Sequence, residues 1–175
     1  MKKTMLKSAA IGALFASASV MAATNPAAPG LTSTGDLEIQ ITKGDLVRVS
    51  QLADLLFPAF AIMPADTTES TEICVYSTTG GYNLTASSPN ANATQLRLAS
   101  GGNFMPYALS LDDGNGPNSL PHNQQVSGLT NADTSNDLCA GGTNATLSAT
   151  ILETDFNAAP QGAYADTVTL TFNPE

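Results

Sequence analysis

Alternation between apolar and polar residues is the main pattern along this chain. Near the N-terminus, Leu37, Ile39 and Ile41 alternate with polar residues, which is typical of a strand with one buried face. Similar runs recur along the chain, and Gly-, Asn- and Pro-rich turns separate many of them. The pattern predicts strands over residues 36–42, 46–49, 57–62, 71–78, 82–87, 95–99, 104–111, 125–129, 145–152 and 163–172.

A helical period is almost absent. Residues 49–62 have some helical spacing of Leu, but Pro58 interrupts the run and leaves room for one short helical turn at most. The longest loop signal covers residues 112–124. Many short strands at this spacing predict an all-β sandwich.

The last predicted strand has the clearest division into two faces. Tyr164, Val168, Leu170 and Phe172 fall on one face, and Ala and Thr residues fall on the other. Asp166 alone interrupts the apolar face. The sequence ends shortly after Phe172, so we expect no following strand to cover the edge of this one.

The first 22 residues predict a cleaved secretory signal peptide. Three Lys residues precede a short apolar run, and Val20-Met21-Ala22 fits a small-residue cleavage site. The run is shorter than the ~20 residues that a membrane span needs. We therefore expect an exported protein that first reaches the periplasm, with an N-terminal extension over residues 23–45 and one domain over residues 46–175.

Charge limits the partners that this chain can have. The formal charge is −9, and removal of the signal leaves three basic residues against fifteen acidic ones, a charge of −12. Nucleic-acid binding is excluded, because it needs Lys and Arg to neutralise phosphates. Charged residues make up 12% of the chain, about half the usual ~25%, which suits a neutral polar surface of strands and turns.

Two cysteines and one histidine leave little material for catalysis or metal binding. In an oxidising compartment Cys74 and Cys139 most simply form one disulfide. A zinc site is the weaker alternative, because His122 stands alone in a predicted loop. The residues 112–115 could offer oxygen ligands to calcium, but an exposed turn is favoured. No nucleophile motif is present, so we expect neither an enzyme nor a cofactor.

Several segments, in order, resemble the bacterial chaperone–usher pilins. They are Thr34-Gly35 before the alternating aliphatics, ICVY at 73–76, GYNL at 81–84, MPYAL at 105–109, and GAYADTVTL at 162–170. The last of these is similar to the family's closing pattern GxYxDTVxV. Within the family the chain looks most like the archaic, Csu-type subunits with a spore-coat-protein-U-like domain. It departs from them in lacking an early cysteine, and its second cysteine is Cys139.

The resemblance implies a fold and an assembly mechanism. The fold is an incomplete immunoglobulin-like sandwich, whose missing last strand leaves an apolar groove. A periplasmic chaperone fills the groove first, and in the fibre the extension of a neighbouring subunit replaces it through an outer-membrane usher. The resemblance implies an extracellular fimbria that serves adhesion and biofilm formation. It implies donor residues Leu37, Ile39 and Ile41, and an acceptor groove that includes Tyr164, Val168, Leu170 and Phe172.

Two other interpretations stay open from the residues alone. The alternation near the N-terminus also fits an ordinary first strand of the protein's own sandwich. The chain would then be a self-complete secreted β-sandwich that binds a carbohydrate or a surface ligand. A secreted hydrolase is a weaker third interpretation.

Overall fold

Antiparallel strands make up nearly all of the regular structure. A computed structural model describes residues 28–35 and 37–175, and the predicted signal peptide lies outside this part. The strands are β1 (Val47–Ser50), β2 (Thr67–Ser77), β3 (Tyr82–Ser87), β4 (Leu96–Ser100), β5 (Asn103–Asp112), β6 (Pro117–Ser119), β7 (Gln125–Leu129), β8 (Ala145–Ile151) and β9 (Thr169–Pro174). A 3-10 turn (Cys139–Gly141) and a short helix α1 (Glu153–Ala158) complete the described elements.

The strands form two antiparallel sheets. The larger sheet has the order β1-β2-β8-β5-β4, with β6 paired to β5. The smaller sheet has the order β7-β3-β9. One apolar core contains Ile73 and Val75 of β2 together with Leu84 of β3 and Leu129 of β7, so the sheets pack face to face. The predicted immunoglobulin-like sandwich is confirmed.

Two strands have the predicted bounds, and others differ by a few residues. Residues 82–87 and 125–129 form β3 and β7 as predicted, because period two and flanking turn residues agree there. The prediction for residues 71–78 is too short, since β2 begins at Thr67 and its Glu69 pairs with Ala149 of β8. The loop predicted over 112–124 contains the short strand β6.

Three predicted strands are wrong in whole or in part. Residues 57–62 form none, and Pro58 removes a backbone donor there. Residues 163–168 precede β9 instead of belonging to it, because Ala165 pairs with Ala99 of β4 in an isolated bridge. Residues 37–42 form no strand in this chain. A strand needs a hydrogen-bonded neighbour. The alternation at residues 37–42 shows which side chains share a face, but it does not show which strand lies beside them.

The chain divides after Lys43 into two units, and the sandwich belongs to the second, Gly44–Glu175.

Helix α1 was not predicted. It has only six residues, and its sequence signal is limited to Glu153 and Asp155 in the first turn. Within the described residues, no helix is long and apolar enough to cross a membrane.

Candidate functional site

Strand β9 has an open edge. In the described part of the chain it pairs with β3 and with no strand on its other side. Its register places Phe172 opposite Leu84 and Leu170 opposite Ala86. The Glu175 N–H donates to the Gly81 carbonyl at 3.3 Å, so odd-numbered residues of β9 turn their backbone groups towards β3. The backbone groups of Leu170 and Phe172 therefore face the open edge.

The side chains beside this edge are only partly covered. Val168, Leu170 and Phe172 are half-buried and pack against the core, whereas Thr169 and Thr171 are exposed. The period-two pattern of the sequence is thus correct for the faces of this segment. An apolar row that remains half-exposed beside unpaired backbone groups can accept a further strand.

Phe172 and Tyr164 mark the two ends of this apolar row. The Phe172 ring lies 5.8 Å from the ring of Tyr82, centroid to centroid. Tyr164 is half-buried, and its hydroxyl donates to the Pro160 carbonyl at 2.9 Å. The row consequently extends over the four residues that the sequence assigned to one face, with Asp166 between Tyr164 and Val168.

Strand β1 offers a second open edge close to the first. It pairs only with β2 among the described strands, and its Cα atoms come within 8 Å of those of β9. Val47 and Val49 are half-buried and pack against the core. Arg48 forms an ion pair with Asp137 at 2.5 Å, which ties β1 to the segment before the 3-10 turn. Both edges therefore carry incompletely covered apolar side chains.

Asp166 anchors the approach to β9. Its carboxylate accepts hydrogen bonds from the Tyr107 hydroxyl at 2.7 Å, the Ser88 hydroxyl at 2.7 Å and the Asn90 amide at 2.8 Å. Burial raises the pKa of the Tyr107 hydroxyl, and the hydrogen bond to Asp166 raises that pKa further. Sequence reasoning missed this cluster, because its members are distant in sequence and Asp166 looked only like an interruption of the apolar face.

The two cysteines lie within one disulfide. Cys74 of β2 and Cys139 of the 3-10 turn are bonded, with their Cα atoms 5.9 Å apart. The bridge closes a loop that spans a sequence separation of 65 residues. It holds the segment before β8 against strand β2.

The predicted donor side chains are almost fully exposed. The exposed fractions are 76% for Leu37, 86% for Ile39 and 96% for Ile41. Burying an aliphatic side chain of this size is favourable by about 1.5–3 kcal/mol relative to leaving it in water. Three such side chains at alternate positions forgo this free energy while they stay exposed. This segment therefore has a strong physical reason to enter an apolar site.

The polar residues that suggested other chemistry have structural roles. His122 accepts a hydrogen bond at Nδ1 from the Ser88 N–H, at 3.1 Å. The residues 112–115 form a turn, but Asp113 is buried rather than exposed and accepts from the Thr130 N–H at 2.7 Å. Among the described residues, no group of three or more His, Cys, Asp or Glu side chains could hold a metal ion.

A cavity of about 610 Å³ lies beside α1. Phe60 and Phe156 line it, with their ring centroids 6.0 Å apart in an edge-to-face arrangement, together with Met105 and Tyr164. Asn157, one of its polar side chains, already bonds both backbone groups of Met63. Aromatic and aliphatic residues are the majority of its lining, but polar atoms expose as much surface to the cavity as apolar atoms do.

Comparison with solved structures shows a likeness in fold. No family model matches the chain, and no characterised protein matches it in sequence. A chain from a solved chaperone–tip adhesin complex of CFA/I fimbriae biogenesis is similar in structure, with a TM-score of 0.53 and 12% identity. The match covers 75% of this chain and 42% of that chain. The two share a fold, and this chain spans less than half of that chain's length.

Proposed function

We propose that this chain is a structural subunit of an extracellular fimbria, assembled through the chaperone–usher pathway by donor-strand exchange. The open edge of β9 carries the proposal, because half-buried Val168, Leu170 and Phe172 lie beside unpaired backbone groups. A strand that enters there completes the small sheet and covers these side chains. Leu37, Ile39 and Ile41 of another copy fit this role, since they alternate and are exposed.

The rest of the assembly follows from the same role. Residues 1–22 act as the export signal, residues 23–45 form the extension with the donor strand, and residues 46–175 form the sandwich. A periplasmic chaperone occupies the open edge until the outer-membrane usher exchanges it for a neighbouring subunit. Head-to-tail contacts of this kind do not close on themselves, so they produce a filament. The fibre serves adhesion and biofilm formation on the bacterial surface, and no catalytic step is part of this role.

Deletion of residues 32–42 tests the proposal. The shortened chain should still bind the chaperone and be recovered with it as a soluble pair, but it should no longer polymerise. A matched comparison replaces Leu37 and Ile39 with Ser in one variant and Glu38 and Gln40 with Ser in another. Only the first variant should lose polymerisation, because only its side chains enter the groove.

The same deletion distinguishes the alternative of a self-complete binding module. If the full-length chain is a stable monomer that the deletion unfolds, the segment belongs to the protein's own sandwich and the proposal fails. A binding module would in addition show a melting temperature that rises with a carbohydrate or other ligand. The cavity beside α1 is the site at which such a ligand would be sought.

A further inference from the structure

Asp166 carries a charge without a cationic partner among the described residues. Its three hydrogen-bond donors, Tyr107, Ser88 and Asn90, are neutral groups. The described ion pair of the sandwich joins Arg48 to Asp137 instead. Asp166 is also half-buried and lies on the same face as Val168, two positions away. A cation that approached along this face would meet a carboxylate that is already held in place.

Among the basic residues that the structure describes, Lys43 is the one with no ion pair and no aromatic ring contact. Arg48 is in the ion pair above, and the guanidinium of Arg97 lies 4.1 Å from the centre of the Phe104 ring while its Nε donates to a backbone carbonyl. Lys43 is exposed and forms no described ion pair. By period two it also lies on the same face as Ile41.

The donor segment (residues 37–43) and the β9 segment (residues 166–172, which begins three residues before β9 itself) therefore have mirrored patterns. Along one face the donor segment presents three aliphatic side chains and then a Lys. Read backwards along its face, the β9 segment presents three apolar side chains and then an Asp. Directly opposite residues of two paired strands lie on the same face, so an antiparallel pairing can match all four positions at once.

We infer that the donor segment of one copy pairs with the β9 segment of the next copy in a single antiparallel register. This inference rests on the proposed donor-strand exchange and specifies its geometry. The pairs are Leu37 with Phe172, Ile39 with Leu170, Ile41 with Val168, and Lys43 with Asp166.

Shifted antiparallel registers lose this match. A shift by two residues in one direction sets Ile41 opposite Asp166, so an aliphatic side chain meets a carboxylate. A shift by two in the other direction sets Lys43 opposite Val168 and brings Asp45 opposite Asp166. Like charges directly opposite one another destabilise a strand pair. Shifts by one residue would turn the aliphatic side chains away from the groove.

A parallel pairing matches the aliphatic positions but not the charges. It can place Ile41 opposite Phe172, but then Asp166 meets Gly35 and Lys43 meets Pro174. Asp166 would stay without a cation in the completed sheet. The charge pair therefore selects the antiparallel orientation.

The backbone of β9 agrees with the inferred register. Its even-numbered residues turn their N–H and C=O groups towards the open edge, so Leu170 and Phe172 each form two hydrogen bonds with the residue opposite. Pro174 has no N–H to offer at this edge. In the inferred register Pro174 lies opposite Gly35, beyond the last aliphatic pair, where the ladder can end without loss.

Cysteine cross-linking tests the register in the assembled fibre. Thr42 and Thr167 are exposed and lie opposite each other in the inferred register as a non-hydrogen-bonded pair. Their Cα atoms would be about 4.5 Å apart, within the range of about 4.4–6.8 Å that a disulfide bridges. The full-length chain with Thr42→Cys and Thr167→Cys, assembled with its chaperone and usher, should give a ladder of covalent multimers without reductant.

Two matched pairs report the other geometries. Thr42→Cys with Thr169→Cys places the thiols on diagonal neighbours, about 7–8 Å apart and out of reach. Thr42→Cys with Asn173→Cys reports the parallel pairing. A ladder from either pair in place of the first overturns the register. Fibres that form without a ladder from the first pair also overturn it and leave donor-strand exchange intact. Failure of the unmodified chain to form any fibre overturns both proposals.

Substitution of Lys43 tests the charge pair separately. Lys43→Glu should speed the dissociation of subunits from preformed fibres by on the order of tenfold, because it places a like charge opposite Asp166. Thr42→Glu places a carboxylate one position away, on the outward face, where it does not meet Asp166, and should change the rate much less. Equal rates for the two variants would show that Lys43 does not face Asp166, which contradicts the inferred pair.

Discussion

Replacement of Ile39 with Ala weakens the contact between subunits while leaving the fold of each subunit intact. Ile39 is 86% exposed, so its truncation removes almost no buried area from the chain that carries it. In the donor role the side chain is covered by the neighbouring sandwich. Ile→Ala removes the equivalent of three methylene groups, and at about 0.8 kcal/mol each the contact loses about 2.4 kcal/mol. This is about a fiftyfold change in the equilibrium between paired and released donor strand.

Urea titration of purified fibres measures this loss. Dissociation into subunits should occur at lower urea for Ile39→Ala than for the unmodified chain, whereas the chaperone-bound subunit should unfold at the same urea concentration in both. Gln40→Ala is the matched control, because Gln40 is exposed and faces the other way. If Ile39→Ala destabilises the chaperone-bound subunit as much as the fibre, the side chain packs in its own sandwich and the reasoning is refuted.

Three further predictions concern the sandwich itself. Asp166→Ala should lower the free energy of unfolding by about 2–4 kcal/mol, because three hydrogen-bond donors lose their acceptor. Asp166→Asn should lower it less. Chemical denaturation of donor-filled subunits measures both changes. Stability should fall as the pH rises above 10, because burial raises the pKa of Tyr107 in the folded state; the stabilisation it gives is complete below its ordinary pKa of 10.0 and is lost progressively above it. Tyr107→Phe should reduce this alkaline loss in thermal melts, and an unchanged pH profile would contradict the assignment. Cys139→Ser should cost about 4 kcal/mol through loss of the disulfide, as reductant does for the unmodified chain, and a variant as stable as the parent would contradict that role.

The sequence predicts the sandwich well where local and long-range preferences agree. Residues 82–87 and 125–129 alternate, are bounded by turn residues and also find neighbours, so their predicted bounds match β3 and β7. The alternation of half-buried and exposed residues after Tyr164 is also correct, because period two depends only on the extended backbone.

Long-range pairing explains the errors. Residues 57–62 are apolar enough for a strand but have no partner strand, and Phe60 instead meets Phe156 of α1. The Asp166 cluster joins Ser88 and Tyr107, which are 78 and 59 residues away in sequence. No local pattern in the sequence encodes these distances, so the Asp166 cluster is visible only in three dimensions.

Hydrogen exchange at the edge of β9 tests the central claim most directly. The amides of Val168, Leu170 and Phe172 should exchange quickly in a chain that lacks residues 32–42 and has been freed of the chaperone, because they then face an unpaired edge. In fibres of the full-length chain the same amides should be protected, since the incoming strand accepts their hydrogen bonds. Exchange that is equally fast in the fibre, or protection that is already present in the shortened chain, would contradict donor-strand exchange at β9.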